Sequence, residues 1–362
     1  MRGGGRAQEE HRVRNVLRAS GAAERDRRDQ RGAELVRLVA DVDASIEVVY
    51  PGELLAPIRY PSDHPLPVLV DERARVRWDA LLDEAEILFD FGPLKLAPTL
   101  AHRPKLRWIQ GTSAGIGRLV ERVGLLDSDV VVTTSSGVHA RALAEFALLA
   151  MLMHGKQTLR LLREQQAHHW ERHAAEEIRG RVVCVVGLGK IGLEVARLAQ
   201  AFDARVVGVV RELRGRNAAE LGVDELRSTG ELDELLPVAD VVVLSTPHTA
   251  LTDKLLDARR LALLKRTALI VNIARGDVVD EDALIDVLRE NRIGGAALDV
   301  FAHEPLPESS PLWDLPNVYV SPHSASTVWN ENERITDLFC DNLERYLHGR
   351  SMLNVLDKEL LY

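Results

Sequence analysis

Three residues, far apart in the chain, offer chemistry when taken together. Arg275 sits in Asn272-Ile273-Ala274-Arg275-Gly276, Glu304 in Asp299-Val300-Phe301-Ala302-His303-Glu304-Pro305, and His323 in Ser321-Pro322-His323-Ser324-Ala325. Each follows a run that reads as a strand, so an open α/β sheet would gather all three at the carboxyl ends of its strands, where ligands bind. Reducing a ketone needs a hydride on carbon and a proton on oxygen. An imidazole can deliver that proton near neutral pH, a carboxylate beside it favours its charged form and orients it, and a guanidinium can bind a carboxylate and polarise a carbonyl. Taken singly, each has a plainer explanation: a surface charge after a strand, a loop Glu before Pro, a structural His.

A second signal is Gly187-Leu188-Gly189-Lys190-Ile191-Gly192, a G-x-G-x-x-G turn that follows a strand-like run and opens a helical one. That context reads as a dinucleotide site: the first Gly permits the tight turn, the second admits a pyrophosphate to the backbone, and the third lets helix and strand pack closely. Helix amides then face the phosphates. An ordinary glycine-rich turn is the alternative. About 20 residues on, a carboxylate would hold adenosine ribose hydroxyls, but Val210 stands there, followed by Arg211, with Arg214 and Arg216 nearby and Glu212 two positions late. A guanidinium pairs with a 2′-phosphate that a carboxylate would repel, so Arg211 predicts NADP over NAD. The rival readings are a solvated arginine loop, or Glu212 reaching back to the ribose.

Stepping outward, the pattern predicts strands at 182–186, 206–210, 241–245, 268–273, 296–300 and 318–321. Helices are expected at 190–201, 232–239, 255–264, 281–290 and 331–347. Short apolar strands alternating with amphipathic helices indicate a doubly wound parallel sheet. Upstream, helices at 32–40 and 74–86 alternate with strands at 46–50, 87–91, 106–110 and 130–134, forming a smaller α/β unit. A long helix, interrupted near Gly155, spans 138 to about 170.

The 362 residues suit two domains. Lys plus Arg number 46 against 55 Asp plus Glu, a net charge of −9 that disfavours general nucleic-acid binding. Aromatic residues at 4% offer few stacking platforms for single strands. Cys184 and Cys340 supply neither a disulfide framework nor a metal spacing and suit a reducing compartment. No run reaches the roughly 18 apolar residues of a membrane span. Residues 1–12 read as a basic, disordered extension, with a first strand around 13–20. His168, His169 and His173, with Glu171, Glu176 and Glu177, read as a polar helix end without zinc spacing. Trp329 either walls a substrate pocket or packs on the final helix.

With these residues in view, the sequence resembles the D-isomer-specific 2-hydroxyacid dehydrogenase family. The resemblance runs from about Val13 to Tyr362 and rests on GLGKIG at Gly187, NIARGDVVDEDAL at Asn272, LDVFAHEPLP at Leu298 and SPHSAS at Ser321, in order. LFDFG at Leu88, RWIQGTSAGIG at Arg107 and SASTVWNENER at Ser324 are similar to a bacterial subgroup of it. The resemblance implies Arg275, Glu304 and His323 as catalytic triad, with His323 the acid/base. It implies Asp299 on the nicotinamide amide, Thr246 and Pro247 on the adenosine side, and Lys190, Ile191, Ile273 and Ala274 among the cofactor contacts. Backbone groups at Phe91 and Gly92, together with Arg275, would meet the substrate carboxylate.

It further implies a Rossmann-type cofactor domain at 137–324 and a smaller, discontinuous flavodoxin-like α/β substrate domain at 13–136 and 325–362. A cytoplasmic homodimer formed around 138–170 is also implied, with no metal. The expected reaction interconverts a 2-keto acid, such as glyoxylate or hydroxypyruvate, and its (R)-2-hydroxy acid with NADP, NAD being the second choice. The rivals are a cofactor-sensing interaction protein on the same fold, or a dehydrogenase of another small anion such as phosphite. Formate is disfavoured, since formate-type relatives carry Gln where Glu304 stands.

Overall fold

The computed structural model describes residues 13–16, 25–60, 62–64, 68, 71–92 and 97–361. The expected disorder of 1–12 lies outside them. The described residues form two compact units: one runs up to Val138 and resumes at Val328–Tyr362, and the other is His139–Thr327. The cuts expected at 136/137 and 324/325 compare with 138/139 and 327/328.

In the first unit, β1 (Val13–Val16) pairs in parallel with β2 (Ile46–Val49). β3 (Ile87–Phe89), β4 (Trp108–Gln110) and β5 (Val131–Thr133) form a three-stranded parallel sheet. Its helices are α1 (Arg25–Ala40), α2 (Glu72–Glu84) and α3 (Gly117–Arg122). Asp71 caps α2 by accepting from the Ala74 amide, the role a short carboxylate fills at a helix start. The C-terminal segment returns to this unit for a packing reason. Phe339 of the last helix (Glu331–Leu347) stacks on Trp108 at 5.1 Å and meets Phe89 edge-on at 4.8 Å. Beneath them, fully buried Asn342 donates to Gln110 Oε1, which also accepts from Thr133, and Thr133 in turn accepts from the Trp108 indole. A buried polar chain satisfied in this way specifies one register.

The second unit begins with α4 (Ala140–Gly155) and α5 (Thr158–Gln166). Then come β6 (Val182–Val186), α6 (Lys190–Gln200), β7 (Arg205–Val210), β8 (Glu225–Ser228), α7 (Leu232–Leu235), β9 (Val241–Leu244) and α8 (Ala258–Leu261). β10 (Leu269–Asn272), α9 (Glu281–Arg289), β11 (Gly295–Leu298) and β12 (Val318–Val320) complete it. The final helix of the first unit is α10. The sheet order is β12-β11-β10-β9-β6-β7-β8, all parallel. Valine-rich strands such as Val-Val-Cys-Val-Val suit a sheet covered on both faces, and a separate apolar cluster packs on each. α6 buries Gly192, Val195, Ala196 and Ala199, the stripe a helix presents to a sheet.

Several expectations need correction. The helix expected at 232–239 ends at Leu235. The helix expected at 255–264 shrinks to α8, because Asp257 caps it by accepting from the Arg260 amide and the chain reaches it as a bridge at Leu256. The strand expected at 87–91 ends at Phe89, where Asp90 turns to φ +73°. β8 was not anticipated. Its Glu-Leu-Arg-Ser sequence is polar because it is an edge strand, and charged side chains protect such an edge.

Candidate functional site

The sheet reverses its winding between β6 and β9, and that switch point opens a crevice at the strand ends. The glycine turn lies there. Gly187 has φ +98°, and a Cβ on it would come within 2.9 Å of the Ser245 carbonyl and 3.0 Å of the Thr246 nitrogen. Gly192 is tighter still: a Cβ would stand 1.8 Å from the Gly187 carbonyl. Ser245 Oγ donates to that same carbonyl at 2.8 Å, locking the turn to the loop that carries Thr246 and Pro247. A Cβ on Gly189, by contrast, would meet no described atom within 4 Å. Two glycines therefore close the turn, while the middle one leaves room before the first residues of α6, Lys190 and Ile191. This is a cradle that fits a dinucleotide pyrophosphate.

Arg211 follows β7 directly and is exposed. Glu212 turns away to Arg214, with Nε 3.0 Å from Oε2, and this partner holds its carboxyl below the usual range. Arg216 donates to the Glu212 carbonyl at 3.0 Å.

Arg275, Glu304 and His323 all belong to the second unit, and the fold draws them together. Nδ1 of His323 is 2.7 Å from Oε2 of Glu304, and Oε1 of Glu304 accepts from the Phe301 amide at 3.0 Å. Arg275 is half-buried. Desolvation lowers its guanidinium pKa, opposed by the nearby Glu304 charge. The guanidinium donates to the Ala274 carbonyl at 2.6 Å. Ile273 and Ala274 are buried at the end of β10, and the Ile273 amide donates to the Leu244 carbonyl of β9.

Several residues that hold these groups escaped the sequence reading. Asn272, 1% exposed, accepts from the Ala274 amide and donates to the Arg275 carbonyl, setting the loop that presents the guanidinium. Its signal was a polar residue ending an apolar strand. Gly276 permits a backbone contact: a Cβ there would stand 1.9 Å from the Phe301 carbonyl carbon. That approach seats the Arg275 loop against the Glu304 loop. Asp299 was expected on the cofactor, yet its Oδ1 accepts three bonds around His323: Ser321 Oγ at 2.6 Å and the Ser324 and Ala325 amides at 2.9 Å each. Burial raises its carboxyl pKa despite these donors. His323 itself sits at φ +53°, a conformation uncommon for L-residues and often kept at functional sites.

In the first unit, Phe91 and Gly92 follow β3. The Phe91 amide donates to Asp90 Oδ1 at 2.8 Å. Trp329 is 74% exposed and thus stands outside the packed face of α10. Of the histidine-rich segment, His169 and Glu171 converge with Glu164, and Arg160 bridges the two glutamates.

Comparison with known proteins bears on this arrangement. Residues 148–325 match the family described as D-isomer specific 2-hydroxyacid dehydrogenase, NAD binding domain. A glyoxylate reductase of Thermofilum pendens is 33% identical over 238 residues, 64% of this chain and 69% of its own. Among crystal structures, a D-isomer specific 2-hydroxyacid dehydrogenase family protein from Aeromonas salmonicida is 27% identical with a TM-score of 0.75, over 96% of this chain and 99% of the other. A D-isomer specific 2-hydroxyacid dehydrogenase from Xanthobacter autotrophicus, in complex with NADPH and MES, is 29% identical with a TM-score of 0.72, over 91% and 96%. By these matches the chain belongs to the D-isomer specific 2-hydroxyacid dehydrogenase family of oxidoreductases.

Proposed function

We propose that this protein reduces a small 2-keto acid, glyoxylate or hydroxypyruvate in type, to the (R)-2-hydroxy acid with NADPH. The observation that carries the reading is the Glu304–His323 pair, set in the same unit as Arg275 and the glycine cradle. The likeness to a glyoxylate reductase supports the substrate class, and the likeness to an NADPH complex supports the cofactor.

Bound at the cradle, NADPH supplies the hydride for the carbonyl carbon. Gly187, Gly189, Lys190, Ile191 and Gly192 hold its phosphates in this reading, with Arg211 on the 2′-phosphate. Thr246, Pro247, Ile273 and Ala274 line its path. Asp299, whose loop bonds all fall on Oδ1, has Oδ2 for the carboxamide. Arg275 binds the substrate carboxylate and polarises the carbonyl, and the Phe91 and Gly92 amides are further donors. Because Nδ1 of His323 is engaged by Glu304, the proton reaches the carbonyl oxygen from Nε2. The glutamate orients the ring and stabilises its cationic form, as a carboxylate does behind a catalytic imidazole.

Around this centre we place a cytoplasmic homodimer. Leu149 of α4, Leu161 and Leu162 of α5, and Trp170 expose large apolar surface, which supports a dimer contact there. Cys184 is buried and both cysteines are free, in keeping with a reducing compartment. Among the described residues, no helix is long and apolar enough to cross a membrane.

The deciding measurement is NADPH consumption over a panel of glyoxylate, hydroxypyruvate, pyruvate, phenylpyruvate and branched 2-keto acids. Turnover with the smaller acids is expected. His323→Ala should abolish it while leaving NADPH binding nearly intact; full activity in that variant would refute the mechanism.

A further inference from the structure

A buried imidazole joins the loop after β9 to the loop that carries Arg275. Thr246 and Pro247 open the first loop, and the turn behind them is closed on itself. Thr252 Oγ1 donates to the Pro247 carbonyl at 2.7 Å and accepts from the Thr249 amide at 2.8 Å. The Asp253 amide donates to the Thr249 carbonyl at 2.9 Å. Beyond it the chain zips along the second loop: the Lys254 amide donates to the Asp277 carbonyl at 2.8 Å, the Leu256 amide to the Val278 carbonyl at 3.1 Å, and the Asp280 amide to the Leu256 carbonyl at 3.0 Å. This zipper starts at Lys254, so the turn at 247–253 pivots there unless a side chain holds it.

His248 is that side chain. It is 7% exposed, with Nε2 2.7 Å from Asp253 Oδ1 and Nδ1 3.5 Å from Asp277 Oδ2. The first contact is a hydrogen bond within the turn. The second crosses between the loops and is an ion-pair distance only, because the buried Nδ1 has no hydrogen-bond partner among the described residues. A buried polar atom in that state costs stability, and an apolar side chain would fill the same space without the cost. Hydrogen bonds at functional sites are often long before the ligand arrives and shorten in the loaded protein. The doubly protonated ring offers one N–H to each carboxylate, which a neutral ring cannot do.

We propose that His248 is a positioning residue that couples the two ligands: with NADPH seated on the loop of Thr246 and Pro247, His248 Nδ1 closes on Asp277 and sets the loop that presents Arg275 to the keto acid. This rests on the reading that these two loops receive NADPH and the substrate carboxylate. Asp277 stands two residues after Arg275, and the Val278 amide donates to the Arg275 carbonyl at 3.2 Å, so a shift at Asp277 is carried to Arg275 within one turn of chain. Coupling of this kind is reciprocal: a keto acid held by Arg275 tightens the hold on NADPH by the same factor.

The test is a fluorescence titration of NADPH into the full chain, with and without oxamate, a 2-keto acid analogue that accepts no hydride. Wild type, His248→Leu, Asp277→Asn and the double variant are compared. Wild type should bind NADPH about fivefold more tightly in saturating oxamate. Each single variant should lose that gain, and the double variant should be no worse than either, as for two partners in one contact. In steady state, KM for glyoxylate should rise about fivefold in each variant while kcat moves less than KM. A merely structural His248 would lower Tm and leave the oxamate effect intact. That result, or a wild type that binds NADPH and reduces glyoxylate with no oxamate effect, overturns this inference alone. Should His248→Leu fail to fold, Asp277→Asn, at a side chain 45% exposed, decides the matter. A wild type that neither binds NADPH nor reduces glyoxylate overturns the underlying reading with it.

Discussion

Oε2 of Glu304 lies 2.7 Å from Nδ1 of His323, and the other oxygen of the same carboxylate is anchored by the Phe301 amide. The glutamate is thus held at both oxygens, and the ring it holds is held in turn by the Asp299 clamp on residues 321, 324 and 325. Glu304→Gln keeps a group of the same shape but removes the charge that stabilises a cationic ring. It should lower kcat on the order of 10²-fold with little change in NADPH affinity. Stopped-flow reduction alongside fluorescence titration of NADPH checks both halves.

Gly276 tests whether backbone approach brings the triad together. Gly276→Ala forces a methyl into the Phe301 carbonyl, which costs about 1–3 kcal/mol as overpacking does. Displacing the Arg275 loop by an ångström should lower kcat about 10²-fold. Thermal melts and kcat, measured together, separate this from a purely structural loss: the variant should stay folded at assay temperature and still bind NADPH.

In the proposed reading, cofactor choice is made at Arg211. Glu212 pairs with Arg214 and leaves Arg211 as the charged residue directly after β7, so Arg211→Ala should cut kcat/KM for NADPH about tenfold while sparing NADH. Parallel titrations with the two cofactors give the ratio. A wild-type efficiency with NADH equal to or above that with NADPH would refute the NADP assignment.

Acid stability has a local source. Glu194 of α6 pairs with Arg197 on its own helix and with Arg141 of α4, and hydrogen bonds from these guanidiniums, Arg197 foremost, hold its pKa at about 2 against a reference of 4.5. A depressed carboxylate stabilises the fold above its unfolded pKa, and that contribution is lost as pH falls through the folded value. The Tm should therefore drop between about pH 4.5 and 2. Glu194→Gln should lower Tm at neutral pH and flatten that part of the curve, which differential scanning calorimetry can follow.

The apolar strand runs and the glycine spacing made the doubly wound sheet and the glycine turn legible in the chain alone, while Arg275, Glu304 and His323 stood out as a set only through the order of the motifs and the resemblance it carries. Each of these depends on local pattern: a period of two or 3.6, a turn that only Gly permits, a polar residue directly after an apolar run. The polar edge strand β8 carried no such pattern, and α8 fell short of its apolar spacing because a cap at Asp257 overrode it.

What only the tertiary structure decided is a set of distances between residues remote in sequence. Gly276 touches Phe301, Asp299 clamps the loop of His323, and Asn342 reaches Gln110 across 232 positions. Glu212 belongs with these, although its partner Arg214 is near in sequence, because Arg211, Arg214 and Arg216 all lie close in the chain and backbone geometry set Arg214 against it. Periodicity reports which face of an element is buried, but it carries no information about which side chain on another element will meet it there. Packing and hydrogen-bond satisfaction make that selection only when the whole chain has closed.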